Sequence, residues 1–309
     1  MRDAETRAQI FTDVAHLPGS AKPDPVLVAD QISRTFGGLK AVDVDHLEIQ
    51  RGSITGLIGP NGAGKTTLFN VLTGFDHADT GTCTLDGRAL SRMHPHQIAR
   101  NGMVRTFQLT KALSKLTVLD NVRLGANGQR GEHMMTALLP WTWRAQERDV
   151  TDRAHDLLQR FTLDTKSGDL AGSLSGGQRK LLEMARALMT RPSVVMLDEP
   201  MAGVNPALTQ SLLGHIMSLR DDGMTVVFVE HDMDVIREIS DWVAVMALGS
   251  VIAESTPDEL SGNPAVVDAY LGAHHDQALE FDDEGNPIGE TAALAAELFV
   301  DESTGRHQA

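Results

Sequence analysis

Gly59-Pro60-Asn61-Gly62-Ala63-Gly64-Lys65-Thr66 stands between an apolar run, Ile54 to Ile58, and a helical run, Thr67 to Leu72. Strand, glycine-rich loop and helix, in that order, form the context that a G-x-x-x-x-G-K-[ST] phosphate loop requires. The glycines let the backbone curl until successive N–H groups point at phosphate oxygens. Lys65 adds a point charge for the β- and γ-phosphates, and Thr66 a hydroxyl for Mg²⁺. The helix that starts there contributes its partial positive charge. Residues Gly59 to Thr67 are therefore candidates for holding the phosphates of ATP. A glycine-rich turn with a stray lysine is the competing reading, and the flanking strand and helix argue against it.

Downstream, Val194-Val195-Met196-Leu197-Asp198-Glu199 is an apolar strand from whose C-terminal end two carboxylates emerge. Ligands of open α/β sheets bind at such ends. Asp198 suits Mg²⁺, commonly through water, and Glu199 suits the orientation or deprotonation of an attacking water. Val194 to Leu197, Thr225 to Val229 and Val243 to Met246 are all short, nearly all-apolar runs. Each reads as a parallel strand covered on both faces. Together these features predict an α/β phosphate-loop nucleotide hydrolase.

Further out, the reading is coarser. Residues 1–25 are polar with scattered prolines and read as a loose leader without the apolar core of a signal peptide. The stretch from Pro95 to Met189 shows no comparable strand run and reads as mostly helical. Leu181, Leu182, Met184, Ala185 and Leu188 recur there at the spacing of a packed helix face. Beyond Ala273, nine acidic residues face one arginine, Arg306, and carry more than half of the net charge of −15. The segment 274–309 reads as an acidic, disordered tail. So negative a chain is a poor partner for nucleic acid. No apolar run reaches the roughly 18 residues of a membrane span. The single cysteine, Cys83, reads as an indifferent thiol.

Leu174-Ser175-Gly176-Gly177-Gln178 opens the helix carrying the Leu181 stripe, about twenty residues before the acidic strand end. In string and position it resembles the signature of ABC ATPases, and the resemblance covers roughly Val26 to Gly272. It implies a RecA-like core with an antiparallel β subdomain and a helical subdomain at about 109–189, together spanning 26–273. It further implies a head-to-tail dimer with a second, identical or paralogous ATPase subunit. Ser175, Gly176, Gly177 and Gln178 of one subunit then reach the ATP held by the other. Residue by residue, Phe36 matches the aromatic that stacks on adenine. Gln108, in Arg105-Thr106-Phe107-Gln108, matches the glutamine that contacts Mg²⁺ or water. His231 matches the histidine that touches the γ-phosphate. The other eleven histidines read as surface residues. Asn205 stands where many relatives carry aspartate, which puts an ion-pair role there in doubt.

Within that family, Phe36-Gly37-Gly38, Leu72-Thr73-Gly74-Phe75, Ala202-Gly203-Val204-Asn205-Pro206 and Ala269-Tyr270-Leu271-Gly272 most resemble the branched-chain amino-acid importer ATPases. That likeness implies a peripheral protein on the cytoplasmic face of the inner membrane. Its partners would be transmembrane permease subunits and, through them, an extracytoplasmic substrate-binding protein. Importers of urea or amides, exporters, and non-transport ABC ATPases are the alternatives. Trp141 and Trp143 fit equally a surface for the permease and the interior of the helical subdomain.

Overall fold

Residues 10–106, 112–128 and 144–272 are described by the computed structural model. In chain order they form β1 (Pro25–Phe36), β2 (Leu39–Gln50), β3 (Ile54–Ile58), α1 (Lys65–Leu72), β4 (Thr80–Leu85), β5 (Arg88–Ala89), α2 (Pro95–Arg100) and β6 (Met103–Arg105). There follow α3 (Val118–Arg123), α4 (Arg144–Arg160), α5 (Gly176–Leu188), β7 (Val194–Asp198), α6 (Pro206–Asp221) and β8 (Thr225–Val229). The C-terminal elements are α7 (Met233–Ile239), β9 (Trp242–Ala247), β10 (Ser250–Ser255) and α8 (Pro264–Gly272).

Two sheets result. The first is antiparallel, in the order β2-β1-β4-β5; the second runs β10-β9-β3-β8-β7-β6. In the second sheet β9, β3, β8, β7 and β6 are parallel, and only the edge strand β10 is antiparallel. The all-apolar strings follow from burial on both faces. Side chains alternate along a strand, so Val195, Leu197, Val226, Phe228, Val243 and Val245 enter one core with the residues of α3 to α6. Their neighbours Val194, Met196, Val227, Val229, Ala244 and Met246 enter the other, with α1 and the antiparallel sheet. The Leu181 to Leu188 stripe is buried core, as its spacing indicates.

Three expectations need correction. The stretch from Pro95 to Met189 contains a strand, β6, paired in parallel with β7; three residues are too few to leave a pattern. Residues 10–25 are not loose. Phe11 stacks on Trp242 with ring centroids 4.9 Å apart, and the buried Lys22 reaches Glu254. Nor are all the remaining histidines on the surface, since His46 and His215 are half-buried. Phe107, Gln108, Trp141, Trp143 and the acidic segment from residue 273 onward lie outside the described residues. Cys83 is free and buried, and burial pushes its thiol up to about 12.

Candidate functional site

β3 is buried along its whole length and delivers the phosphate loop to the carboxyl edge of the larger sheet. At the far end of the loop Gly64 has φ +100°, and a Cβ there would lie 2.4 Å from the Ala41 carbonyl oxygen. Only glycine fits that turn. The first helical bond of α1, from the Leu68 N–H to the Gly64 carbonyl, is 2.9 Å long. Lys65 folds back over the loop and donates to the carbonyl oxygens of Gly59 at 2.6 Å and Pro60 at 3.0 Å. Burial lowers its pKa, and the charge of Glu199 acts in the opposite sense. Asn61, Gly62 and Thr66 are exposed, while Thr67 is half-buried.

The next strands bring the acidic residues to the same edge. Asp198 ends β7 in register with Val229, the last residue of β8. The Glu199 N–H donates 3.0 Å to the Val229 carbonyl. Glu199 has φ +45°, a left-handed conformation that costs a non-glycine residue roughly 1–2 kcal/mol. Such strain persists only where the surroundings enforce it. One enforcing contact comes from α5: the Lys180 ammonium donates to the carbonyls of Glu199 at 3.2 Å, Pro200 at 2.7 Å and Ala202 at 2.7 Å. Another comes from Glu230, whose buried carboxylate accepts the Met201 N–H at 2.9 Å. Burial raises the Glu230 pKa, partly offset by that N–H. His231 follows directly and its side chain is 69% exposed.

Asp198 is itself engaged. Its Oδ2 accepts from Arg105 Nη2 at 2.6 Å, with the two side chains 8% and 6% exposed. Among the described residues, no group of three or more His, Cys, Asp or Glu gathers to form a metal cage. Mg²⁺ needs no such cage, since it prefers one or two carboxylates plus substrate phosphates and water. Asp198, at the end of β7, and the exposed Thr66, in the first turn of α1, are oxygen donors of the kind such a site uses.

Phe36 ends β1, 47% exposed, and the Arg34 guanidinium covers its ring at 4.5 Å. Ser175 caps α5 in a reciprocal box: Ser175 Oγ accepts the Gln178 N–H at 3.3 Å, and Gln178 Oε1 accepts the Ser175 N–H at 3.0 Å. Gly176 faces open space, whereas a Cβ on Gly177 would overlap Leu208. Asn205 caps α6 by accepting the Leu208 N–H at 2.9 Å, a structural use that needs no charge. No hydrogen bond or ion pair joins Ser175–Gln178 to Gly59–Thr66 within this chain's described residues. The sequence reading gave no role to Arg105, Lys180 or Glu230, although Arg105 lies inside a quoted motif, Lys180 two residues past Gln178 and Glu230 directly before His231. No spacing rule marks a residue that acts through its neighbours.

A phosphate loop at the carboxyl edge of a parallel sheet, with a carboxylate pair two strands away, defines a nucleotide-binding domain of the phosphate-loop class. Comparison with known proteins narrows that class. The sequence profile of the ABC transporter family matches residues 42–202. A second profile, described as branched-chain amino acid ATP-binding cassette transporter, matches residues 250–276. The probable branched-chain amino acid transport ATP-binding protein LivG of Archaeoglobus fulgidus is 41% identical over 80% of this chain and 96% of its own length. The high-affinity branched-chain amino acid transport ATP-binding protein BraF of Pseudomonas aeruginosa is 38% identical over 80% of this chain and 98% of its own. A crystal structure of the ADP conformation of an ABC-transporter cassette superimposes with TM-score 0.69 at 35% identity, covering 80% of this chain and 99% of that one. The chain belongs to the ABC transporter family, among its branched-chain amino acid transport ATP-binding proteins. No described helix is long and apolar enough to cross a membrane.

Proposed function

We propose that this ATPase drives the import of branched-chain amino acids through separate transmembrane permease subunits, from the cytoplasmic face of the membrane. The observation that carries the reading is the shared sheet edge, where Lys65 opens α1, Asp198 ends β7, and Glu199 and His231 follow β7 and β8. ATP lies with its phosphates over Gly59 to Thr67 and its base against Phe36. Mg²⁺, when bound, neutralises phosphate charge. Thr66 and Asp198 hold it, with Gln108 as a further contact. Lys65 turns from the Gly59 and Pro60 carbonyls to the phosphates, and Glu199 orients the attacking water with His231 beside it.

A second subunit, identical or paralogous, supplies its Ser175–Gln178 face to this ATP. The open space over Gly176 supports such an approach. A groove of about 420 Å³ between the end of α1 and the helical subdomain includes Phe75, Leu113, Leu124 and Arg186 in its walls. Phe75, Leu113 and Leu124 are 49%, 49% and 55% exposed, and an exposed apolar patch of this kind suits a protein partner. We assign it to the permease. An extracytoplasmic binding protein completes the assembly through that permease.

The test is uptake of labelled leucine, isoleucine, valine and urea by cells lacking the gene, complemented with wild type or Glu199→Gln. Loss of branched-chain uptake that only the wild type restores supports the reading. Intact branched-chain uptake overturns the substrate, and a selective urea defect favours the amide importers.

A further inference from the structure

Arg105 is placed where three parts of the molecule meet. It ends β6, whose register puts it opposite Met196 and so beside the end of β7. One guanidinium nitrogen, Nη2, donates to Asp198 Oδ2 at 2.6 Å. The other, Nη1, donates to Asn70 Oδ1 at 2.6 Å and approaches Thr73 Oγ1 at 3.4 Å, both on the last turn of the phosphate-loop helix or its cap. The guanidinium carbon lies 5.6 Å from the Phe69 ring centre and 5.8 Å from that of Phe75. A planar, permanently charged fork held on one side by α1 and two aromatic rings has little freedom to turn. The carboxylate that it grips inherits that fixity. Asp198 Oδ1 carries no hydrogen bond among the described residues and is left for a ligand.

We propose that Arg105 is a positioning residue for the metal-side carboxylate: it holds Asp198 by one oxygen against the phosphate-loop helix and presents the other to the nucleotide-bound divalent cation. The inference rests on the proposed role of Asp198 at that cation. Two effects of the guanidinium oppose each other. Its charge repels an approaching cation, but its removal leaves a buried carboxylate unpaired and free to turn toward other donors. The repulsion weakens with distance and across intervening water. The loss of orientation acts at the ligand itself. Orientation therefore prevails, as it does for hydrogen-bonded partners of metal ligands elsewhere, whose loss lowers metal affinity roughly 10–100-fold. Arg105 also lines the groove assigned to the permease, together with Thr73 and Phe75. The same side chain therefore joins the groove floor to Asp198.

The experiment measures Mn²⁺ binding to the purified chain with ADP by electron paramagnetic resonance, beside ADP affinity in the presence of EDTA. Arg105→Met is expected to weaken Mn²⁺ binding at least tenfold while metal-free ADP affinity stays within twofold. Arg105→Lys, which keeps the charge but not the fork, is expected to fall between. Asn70→Ala, which removes one anchor of the arginine, should lower Mn²⁺ affinity severalfold. Mn²⁺ affinity within twofold of wild type in a folded Arg105→Met protein overturns the proposal. If that variant does not fold, unchanged affinity in both Arg105→Lys and Asn70→Ala does the same. Asp198→Asn separates the two readings. If it leaves Mn²⁺ affinity unchanged, the role of Asp198 falls and Arg105 with it; if it weakens binding while the Arg105 variants do not, only the inference about Arg105 falls.

Discussion

Lys22 and Glu254 meet at 2.7 Å with neither side chain exposed to solvent. The same carboxylate accepts the Trp242 indole N–H at 3.0 Å and the Gly19 N–H at 2.8 Å. The lysine ammonium lies 4.8 Å from the centre of the Trp242 ring. One buried charge thus ties the segment ahead of β1 to β9 and β10. Replacing Lys22 by methionine leaves Glu254 charged and unpaired in the interior. Breaking a buried pair in this way costs about 3–5 kcal/mol. Urea denaturation of Lys22→Met should show a loss of that size; a loss below about 1 kcal/mol, typical of exposed pairs, would mean that the segment contributes little.

The two signature glycines should separate by experiment. A Cβ on Gly177 would sit 1.7 Å from Leu208 Cδ2, while Gly176 has no neighbour within 4 Å. Gly177→Ala should therefore destabilise the chain by about 1–3 kcal/mol, as overpacking does. The added substitution Leu208→Ala should recover part of that loss. Gly176→Ala should leave thermal stability unchanged and lower ATP turnover, because its open face is the one assigned to the partner's nucleotide. A stability loss in Gly176→Ala with normal turnover would reverse the assignment.

Lys180 spans from the signature helix to the loop after Glu199 with its three carbonyl contacts. Hydrogen bonds to charged groups contribute about 1.5–3 kcal/mol, and here they hold a residue whose backbone is strained. Lys180→Met is expected to reduce ATP turnover at least tenfold with ADP affinity nearly unchanged, measured by steady-state kinetics and ADP titration. Equal losses in affinity and turnover would point instead to collapse of the phosphate loop.

The contrast between Lys65 and Lys180 shows what the sequence could reveal. Lys65 sits in a pattern whose spacing is imposed by phosphate geometry, so Gly59 to Thr66 with its flanking runs disclosed the strand, turn and helix that the fold contains. The buried strands were equally legible, because burial on both faces leaves runs such as Val194 to Leu197 without a polar residue. Lys180 and Arg105 act on other parts of the protein, at separations of 19 and 93 residues from the groups they hold. Only the folded sheet creates those contacts. The segment 10–25 misled for a related reason. Its few apolar residues make no periodic pattern, yet Phe11 and Val14 find Trp242, far along the chain, to pack against.

His46 carries a pH dependence. Partial burial lowers its pKa, but hydrogen bonds to Asp30 and to Glu48, the latter at 3.1 Å, outweigh burial and leave the pKa raised above 6.5. The folded state therefore binds the proton more tightly than the unfolded state. The stabilisation is complete below the unfolded value near 6.5 and disappears as pH rises through the folded value. Unfolding free energies of wild type and His46→Gln should differ most near pH 5.5 and converge by pH 9. A difference that grows with pH would contradict this sign.

Glu199 combines three features that a solvated strand end does not require. Its backbone sits at φ +45°, its carbonyl is one of the three held by Lys180, and its charge acts on Lys65 across the site. Glutamine preserves its size and hydrogen-bonding shape but cannot take a proton. Glu199→Gln should therefore bind ATP as tightly as wild type. Its single-turnover hydrolysis should be slower by about 10²–10⁴-fold, the range that a positioned general base contributes. Lys65→Ala should show the opposite division, with nucleotide affinity lost first, because the ammonium now on the Gly59 and Pro60 carbonyls is the one proposed to meet the phosphates. Rapid-quench hydrolysis and ATP titration of both variants decide the matter. Near-normal hydrolysis in Glu199→Gln would remove Glu199 from the chemistry and leave His231 as the residue to test next.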